Sequence, residues 1–164
     1  MKKENIIFIL IKIICFIFVG TIINLLVHEL SHLLILLFVN GEPIKFSLGA
    51  ESFVGGYVDV KYISVVSLAS IYIPTIISFS AIFIKNKYLQ LLNAGFTVPI
   101  MINCIMGVFT TIFINDSYQR STFDVSLAID NMSMDIIAYI IIILSLFCSV
   151  FAIIKSFKVI GEMA

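Results

Sequence analysis

Apolar residues run from Ile6 to Phe38, interrupted by little more than Lys12, Thr21, Asn24 and the cluster His28, Glu29, Ser31 and His32. No Pro and no turn-forming cluster divides the run, so it predicts one helix. At 1.5 Å per residue such a helix reaches roughly 50 Å, more than the ~30 Å hydrocarbon core of a bilayer. It therefore tilts or protrudes. A cleaved signal peptide would be shorter and would carry an A-x-A-like site after its apolar stretch. Three further apolar runs follow, over 65–84 (with Pro74), 88–114 (with Asn93, Pro99 and Asn103) and 136–157.

Two stretches break this pattern. Asn40-Gly41-Glu42-Pro43 is a turn signal that ends the first helix. Ile44 to Leu48 and Tyr57 to Ile63 then alternate in part, with β-branched and aromatic residues, around the glycine-bearing segment 49–56. This predicts a β-hairpin over about 44–63. Open strand edges cannot face lipid, so it must sit at the interface or against the helices. The second stretch, 115–135, is a polar loop. The expected fold is an α-helical integral membrane protein of about four transmembrane helices, with a β-hairpin between the first and second, forming one membrane-embedded domain over 1–164.

Composition agrees. The chain is 61% hydrophobic and 12% charged, with mean hydropathy +1.17. Soluble domains are about 45–50% apolar and about 25% charged, so a water-soluble enzyme is excluded. Ten basic and ten acidic residues balance, with no basic patch of the kind nucleic-acid binding needs. Cys15, Cys104 and Cys148 lie far apart in apolar runs, with neither metal-ligand nor disulfide-framework spacing. Lys2, Lys3, Lys85, Lys87, Lys155 and Lys158 fall at one membrane face, and Lys45, Lys61 and Arg120 at the other. That asymmetry places both termini in the cytoplasm, across the cell membrane.

The chemistry concentrates in the first helix. The chain's only histidines stand in Val27-His28-Glu29-Leu30-Ser31-His32-Leu33, an H-E-x-x-H. Residues i and i+4 share a helix face, so both imidazoles can reach one ion. Glu29 lies about 100° around the helix, where it can touch a metal-bound water without ligating. Zinc lowers the pKa of such a water to about 7, and the carboxylate takes its proton. Thr21, Asn24, His28, Ser31 and His32 form a polar stripe that must face protein or water. Asn24, one turn from His28, can orient an imidazole or a substrate carbonyl, or hydrogen-bond a neighbouring helix. Catalytic zinc usually has three protein ligands. With no third His, the remaining candidates are carboxylates: Glu42, Glu51 and Asp59 in or beside the hairpin, and Asp116 and Asp124 after the third span, with a carboxylate elsewhere or no third ligand left open.

This pattern resembles the site-2 protease superfamily of membrane zinc metalloproteases, in a small form with few accessory parts. The resemblance rests on the Val27–Leu33 motif in an early span, the glycine-bearing hairpin that follows, and Ala69-Ser70-Ile71-Tyr72-Ile73-Pro74 in the second span. It implies that a later Asp, at the start of a short helix, completes the zinc site. Ser121-Thr122-Phe123-Asp124-Val125-Ser126-Leu127-Ala128 looks like that segment, and Ser121 resembles the start of a capping box. Phe123 and Val125 flank Asp124 where many relatives carry a small residue, so Asp116 stands as the alternative.

The expected function is a zinc-dependent membrane endopeptidase. His28, His32 and Asp124 hold one Zn2+, and Glu29 activates the water. The partners are a membrane-bound protein or peptide substrate and the lipid bilayer. Tyr57 to Lys61 is expected to receive an extended substrate by β-augmentation. Asn103, Tyr118 and Arg120 are the candidates for stabilising the oxyanion. The alternative is a non-catalytic metal-binding membrane protein, a pseudoprotease or a metal carrier.

Overall fold

The structure is a computed structural model that describes residues 6–47, 53–114, 124–131 and 135–161. Helix α1 is Ile6–Phe38. Strands β1, Glu42–Ser47, and β2, Phe53–Tyr57, follow. Then come α2 (Ile63–Ala81), α3 (Lys87–Phe113), the short α4 (Asp124–Asn131) and α5 (Asp135–Gly161). Four helices are long and apolar enough to cross a membrane: Ile7–Phe38, Ile63–Ala81, Lys87–Phe113 and Tyr139–Lys158. Their outward faces carry large apolar side chains, including Phe18, Phe79, Phe113, Phe147 and Phe157. A patch this extensive is incompatible with water and matches a membrane protein.

α2 is the most enclosed of the four helices. Leu68 and Ile71 from α2 meet Phe96, Ile100 and Cys104 from α3, Val125, Ala128 and Ile129 from α4, and Ile142 from α5. α1 packs on α2 and α3, and α5 packs on α2 and α3. Phe16 stacks on Tyr88 at 5.3 Å, and Gly20 abuts Phe96 further along both helices, so α1 and α3 run in the same direction. Ser78 meets Thr97, and Gln90 meets Ala81, so α2 runs against them.

Glycine sets the α1–α3 distance. A Cβ at Gly95 would lie 2.0 Å from the Ile17 carbonyl oxygen, and one at Gly20 would lie 2.1 Å from that of Leu92. In lipid, such close backbone approach replaces the hydrophobic drive that associates helices in water. The same contact solves a second problem. Pro99 has no N–H, so the Gly95 carbonyl four residues earlier loses its helical donor. Thr21 Oγ1 reaches that oxygen at 3.2 Å from the neighbouring helix.

The far end of the bundle satisfies its backbone with side chains. Three carbonyls at the end of α2, those of Ala81, Ile82 and Ile84, gather around Gln90 Nε2 at 2.9, 3.3 and 2.6 Å. Lys155 Nζ also donates to Ile82 O. α2 ends at Ala81 rather than at the expected 84, and these side chains satisfy the carbonyls left there. Asn86 caps α3 by accepting from the backbone N–H groups of Tyr88 and Leu89.

The extended segments differ from expectation in their bounds. β1 pairs antiparallel with β2, from Glu42 opposite Tyr57 to Ser47 opposite Phe53, and both strands pack on α1. The segment 57–63, expected as the second strand, is not one. Lys61 N–H donates to Asp59 Oδ1 at 3.3 Å and Tyr62 N–H to Asp59 O at 2.8 Å. These bonds bend the chain into the 3-10 turn Val60–Tyr62, because an Asp side chain can mimic a turn and compete with a strand ladder. The proposed docking of a substrate strand on Tyr57 to Lys61 therefore has no strand beyond Tyr57 to use.

Substituting Gly95 with Val is expected to force α1 and α3 apart and destabilise the bundle by about 1–3 kcal/mol or more, as overpacking does. Unfolding in mixed micelles measures this. Leu34→Ala, on the exposed face of α1, is the control, with little expected change.

Candidate metal centre

The polar stripe of α1 faces inward as its spacing requires. Asn24, Ser31 and His32 are buried and His28 is partly so, while Leu25, Leu26, Leu30 and Leu34 face out. Ser31 Oγ donates to Val27 O of its own helix at 2.6 Å. The two imidazoles sit edge to face, with ring centroids 5.0 Å apart.

Asp124, the first described residue of α4, meets both rings. Its Oδ2 lies 3.1 Å from His28 Nε2 and 3.2 Å from His32 Nε2. The three potential ligand atoms all lie within 4.8 Å of one another. A tetrahedral ion at about 2.0–2.1 Å from each ligand needs ligand–ligand separations of roughly 3.3–3.4 Å. The two histidine–carboxylate separations lie within about 0.3 Å of this, and the two imidazole nitrogens stand no more than 4.8 Å apart. Two imidazoles and a carboxylate are also the donor types zinc takes at catalytic sites. The residues present thus fit a single divalent ion.

The surroundings orient these groups. His32 Nδ1 donates to Val66 O at 2.8 Å, which turns Nε2 toward Asp124. A ring nitrogen anchored this way fixes the tautomer of a ligating histidine. Ser70 Oγ, on α2, lies 3.0 Å from Asp124 Oδ2 and 2.9 Å from Ser67 O. Burial alone would raise the Asp124 carboxyl. The hydrogen bond from His28, with the charge and hydrogen bond of His32, outweighs it and holds the group below the usual carboxylate range. Glu29 is buried beside the cluster, with Oε1 3.8 Å from His28 Nε2. It neighbours the three-residue set without joining it.

Helix α4 reaches this position through two contacts. Ser64 Oγ donates to Ala128 O at 3.0 Å, tying α4 to α2. On the other side, Gly107 of α3 leaves room for Val125: a Cβ there would lie 2.2 Å from Val125 Cβ. Val66 and Ser70 fall within the first two turns of α2, so the centre lies about 5–10 Å along that helix from its start. It is therefore near one end of the bundle, the end where β1 and β2 pack on α1.

Of the expected site residues, His28, His32 and Asp124 come together and Glu29 stands beside them. Asp116, Glu51, Tyr118, Arg120 and Ser121 lie outside the described residues. Asp59 is exposed and paired with Lys61 at 3.1 Å, and Glu42 is exposed on β1, so neither joins the cluster. Asn103 is half-buried on α3. The sequence reading gave no role to Ser70, Val66 or Gly107. Ser64, Ser67 and Ser70, spaced by three on an apolar helix, were the available signal for Ser70. Val66 contributes only a carbonyl, which leaves no side-chain trace.

No protein-family model, curated protein or solved structure matches this chain.

Gly107→Ala is expected to push α4 off α3 and weaken metal binding about tenfold, equivalent to about 1.4 kcal/mol. Val125→Gly in the same chain removes the clash and is expected to recover part of the affinity. Competition with a chromophoric chelator reads both. Equal affinity for wild type and Gly107→Ala would show that the close packing does not position Asp124.

Proposed function

We propose that this protein is a zinc-dependent membrane endopeptidase, similar in its motif to the site-2 proteases. One observation carries the reading. An H-E-x-x-H on a membrane-length helix meets the carboxylate of a separate helix 92 residues from His32. Ionisable groups at membrane depth are functional by default, and here they form a ligand set with a buried Glu beside it.

In this reading His28 Nε2, His32 Nε2 and an oxygen of Asp124 hold the ion. When bound, zinc supplies a Lewis acid and a water acidic enough to ionise near pH 7. Glu29 would take up a proton as water adds to the peptide carbonyl and deliver it to the departing amine, the general-base and general-acid halves of one role. Its buried setting keeps bulk water from competing for the proton. Val66 O holds His32 in orientation, and Ser70 steadies Asp124. The position of the centre, near the end of the bundle that carries the strands, suits a membrane-anchored or membrane-adjacent peptide. Lys85, Lys87, Lys155 and Lys158 follow or flank the opposite helix ends, which supports cytoplasmic termini.

A non-catalytic metal protein is the rival reading, and Glu29 separates the two. A structural or carrier site needs His28, His32 and Asp124 but not the neighbouring carboxylate. Glu29→Gln is expected to keep stoichiometric zinc and to lower cleavage of single-span reporter peptides in proteoliposomes by about 100-fold or more. His28→Ala and Asp124→Ala are expected to lose zinc and activity together. Undiminished cleavage by Glu29→Gln would overturn the mechanism. Full zinc occupancy with no reporter cleaved by wild type would favour the rival.

A further inference from the structure

At the end of the bundle opposite the metal centre, three lysines are tied to one hydrogen-bonded knot. Lys155 Nζ, from α5, donates to Ile82 O. Gln90 Nε2 lies 3.3 Å from the same oxygen and 2.6 Å from Ile84 O, the carbonyl that precedes Lys85 in the chain. Ser156 Oγ, on the residue next to Lys155, donates to Gln90 O at 3.0 Å. Lys158 follows three residues after Lys155 on the same helix. Lys85, Lys155 and Lys158 are thus gathered around the corner between α2 and α3. Lys85 and Lys158 are exposed, and Lys155 is partly so.

Charge and apolar surface coincide at this corner. Among the described residues, none of 79–90 or 150–161 is acidic. An ammonium has three donors. Ile82 O takes one from Lys155, and the Phe83 ring centroid lies 5.8 Å from its Nζ, so this cation is ordered before any anion arrives. A group held in place beforehand loses less side-chain entropy on binding. Beside the lysines, Phe83, Ile154 and Phe157 are exposed. Ile154 and Phe157 fall within the membrane-length stretch Tyr139–Lys158. Lysines on an apolar collar at the end of a span fit an anion that carries hydrocarbon tails, and acidic phospholipids of the cytoplasmic leaflet are such anions. An acidic protein segment matches the lysines but not the collar.

We propose that this corner binds an anionic phospholipid, with the phosphate among Lys85, Lys155 and Lys158 and the acyl chains along Phe83, Ile154 and Phe157. The lysines then do more than bias the orientation of the chain. They form a headgroup site whose central cation is set by a backbone carbonyl. The site is separate from the metal centre and stands whether or not that centre hydrolyses peptides.

Native mass spectrometry of the full chain in detergent, titrated with phosphatidylglycerol or phosphatidylcholine, tests the assignment. Wild type is expected to retain phosphatidylglycerol in preference. Lys85→Gln and Lys158→Gln are each expected to weaken that binding about fivefold, and the double variant about 25-fold, with phosphatidylcholine unaffected. Lys155→Gln keeps an N–H donor for Ile82 O and removes the ordered charge, so it is expected to weaken binding at least as much. Unfolding in phosphatidylcholine micelles checks that each variant keeps its fold. Lys61→Gln, exposed and paired with Asp59 at the other end, is the control and is expected to bind as wild type does. Glycerol phosphate, which has the headgroup without the tails, is expected not to displace the lipid. Equal retention of the two lipids by wild type would overturn the proposal. An equal loss in Lys61→Gln would do the same, by marking net charge rather than this corner. Displacement by glycerol phosphate would remove the role of the collar, and displacement by a polyglutamate peptide would assign the corner to an acidic protein partner instead.

Discussion

The end of the bundle that carries the histidines is organised around one oxygen. Asp124 Oδ2 lies within hydrogen-bond distance of His28, His32 and Ser70, so it gathers α1, α2 and α4 at a point. In an apolar bundle an ionised carboxylate is tolerated only where opposing charge and donors surround it. The two imidazoles meet that need, and Asp124 in turn keeps the imidazoles from being isolated polar groups in a lipid-facing helix. The constraint is mutual. It also explains the placement of α4, a short helix whose inner face is Val125, Ala128 and Ile129 and whose first residue is the carboxylate.

The rest of the bundle obeys the same rule at the level of the backbone. Where a membrane helix is interrupted, a neighbouring side chain supplies the missing hydrogen bond. Thr21 does so for the carbonyl freed by Pro99, and Gln90 with Lys155 does so for the end of α2. Ser156 Oγ lies 3.0 Å from Gln90 O, extending that cluster into α5. The bundle thus has a polar cluster near each end. One holds helix ends together, and the other gathers His28, His32 and Asp124.

Packing and polarity are coupled through small residues. Gly20 and Gly95 let α1 and α3 touch backbone to backbone, which brings Thr21 within reach of Gly95 O. Gly107 lets α4 lie against α3, which delivers Asp124 to the histidines. In each case the absent Cβ matters because a polar contact one residue away depends on the distance it sets. Serines on α2 play the matching part, with Ser64 fastening α4 and Ser70 touching its carboxylate.

The sequence by itself determined the four apolar helices, the inward stripe of α1 and the histidine motif, because these are local. Helix periodicity and the exclusion of charge from lipid follow from nearest neighbours along the chain, and His28 and His32 share a face through spacing alone. It also narrowed the third ligand to a few carboxylates, with Asp124 chosen by resemblance. It misplaced the second strand, since the alternation after Tyr57 gave no weight to Asp59 as a turn former. Only the tertiary structure decided that Asp124 meets both imidazoles, that Val66 O orients one of them, and that Ser70 and Gly107 build the shell around the carboxylate. Those contacts join residues 34 to 92 positions apart for His32 alone. A carbonyl acceptor or a missing Cβ leaves no pattern in the chain until a neighbouring helix is packed against it.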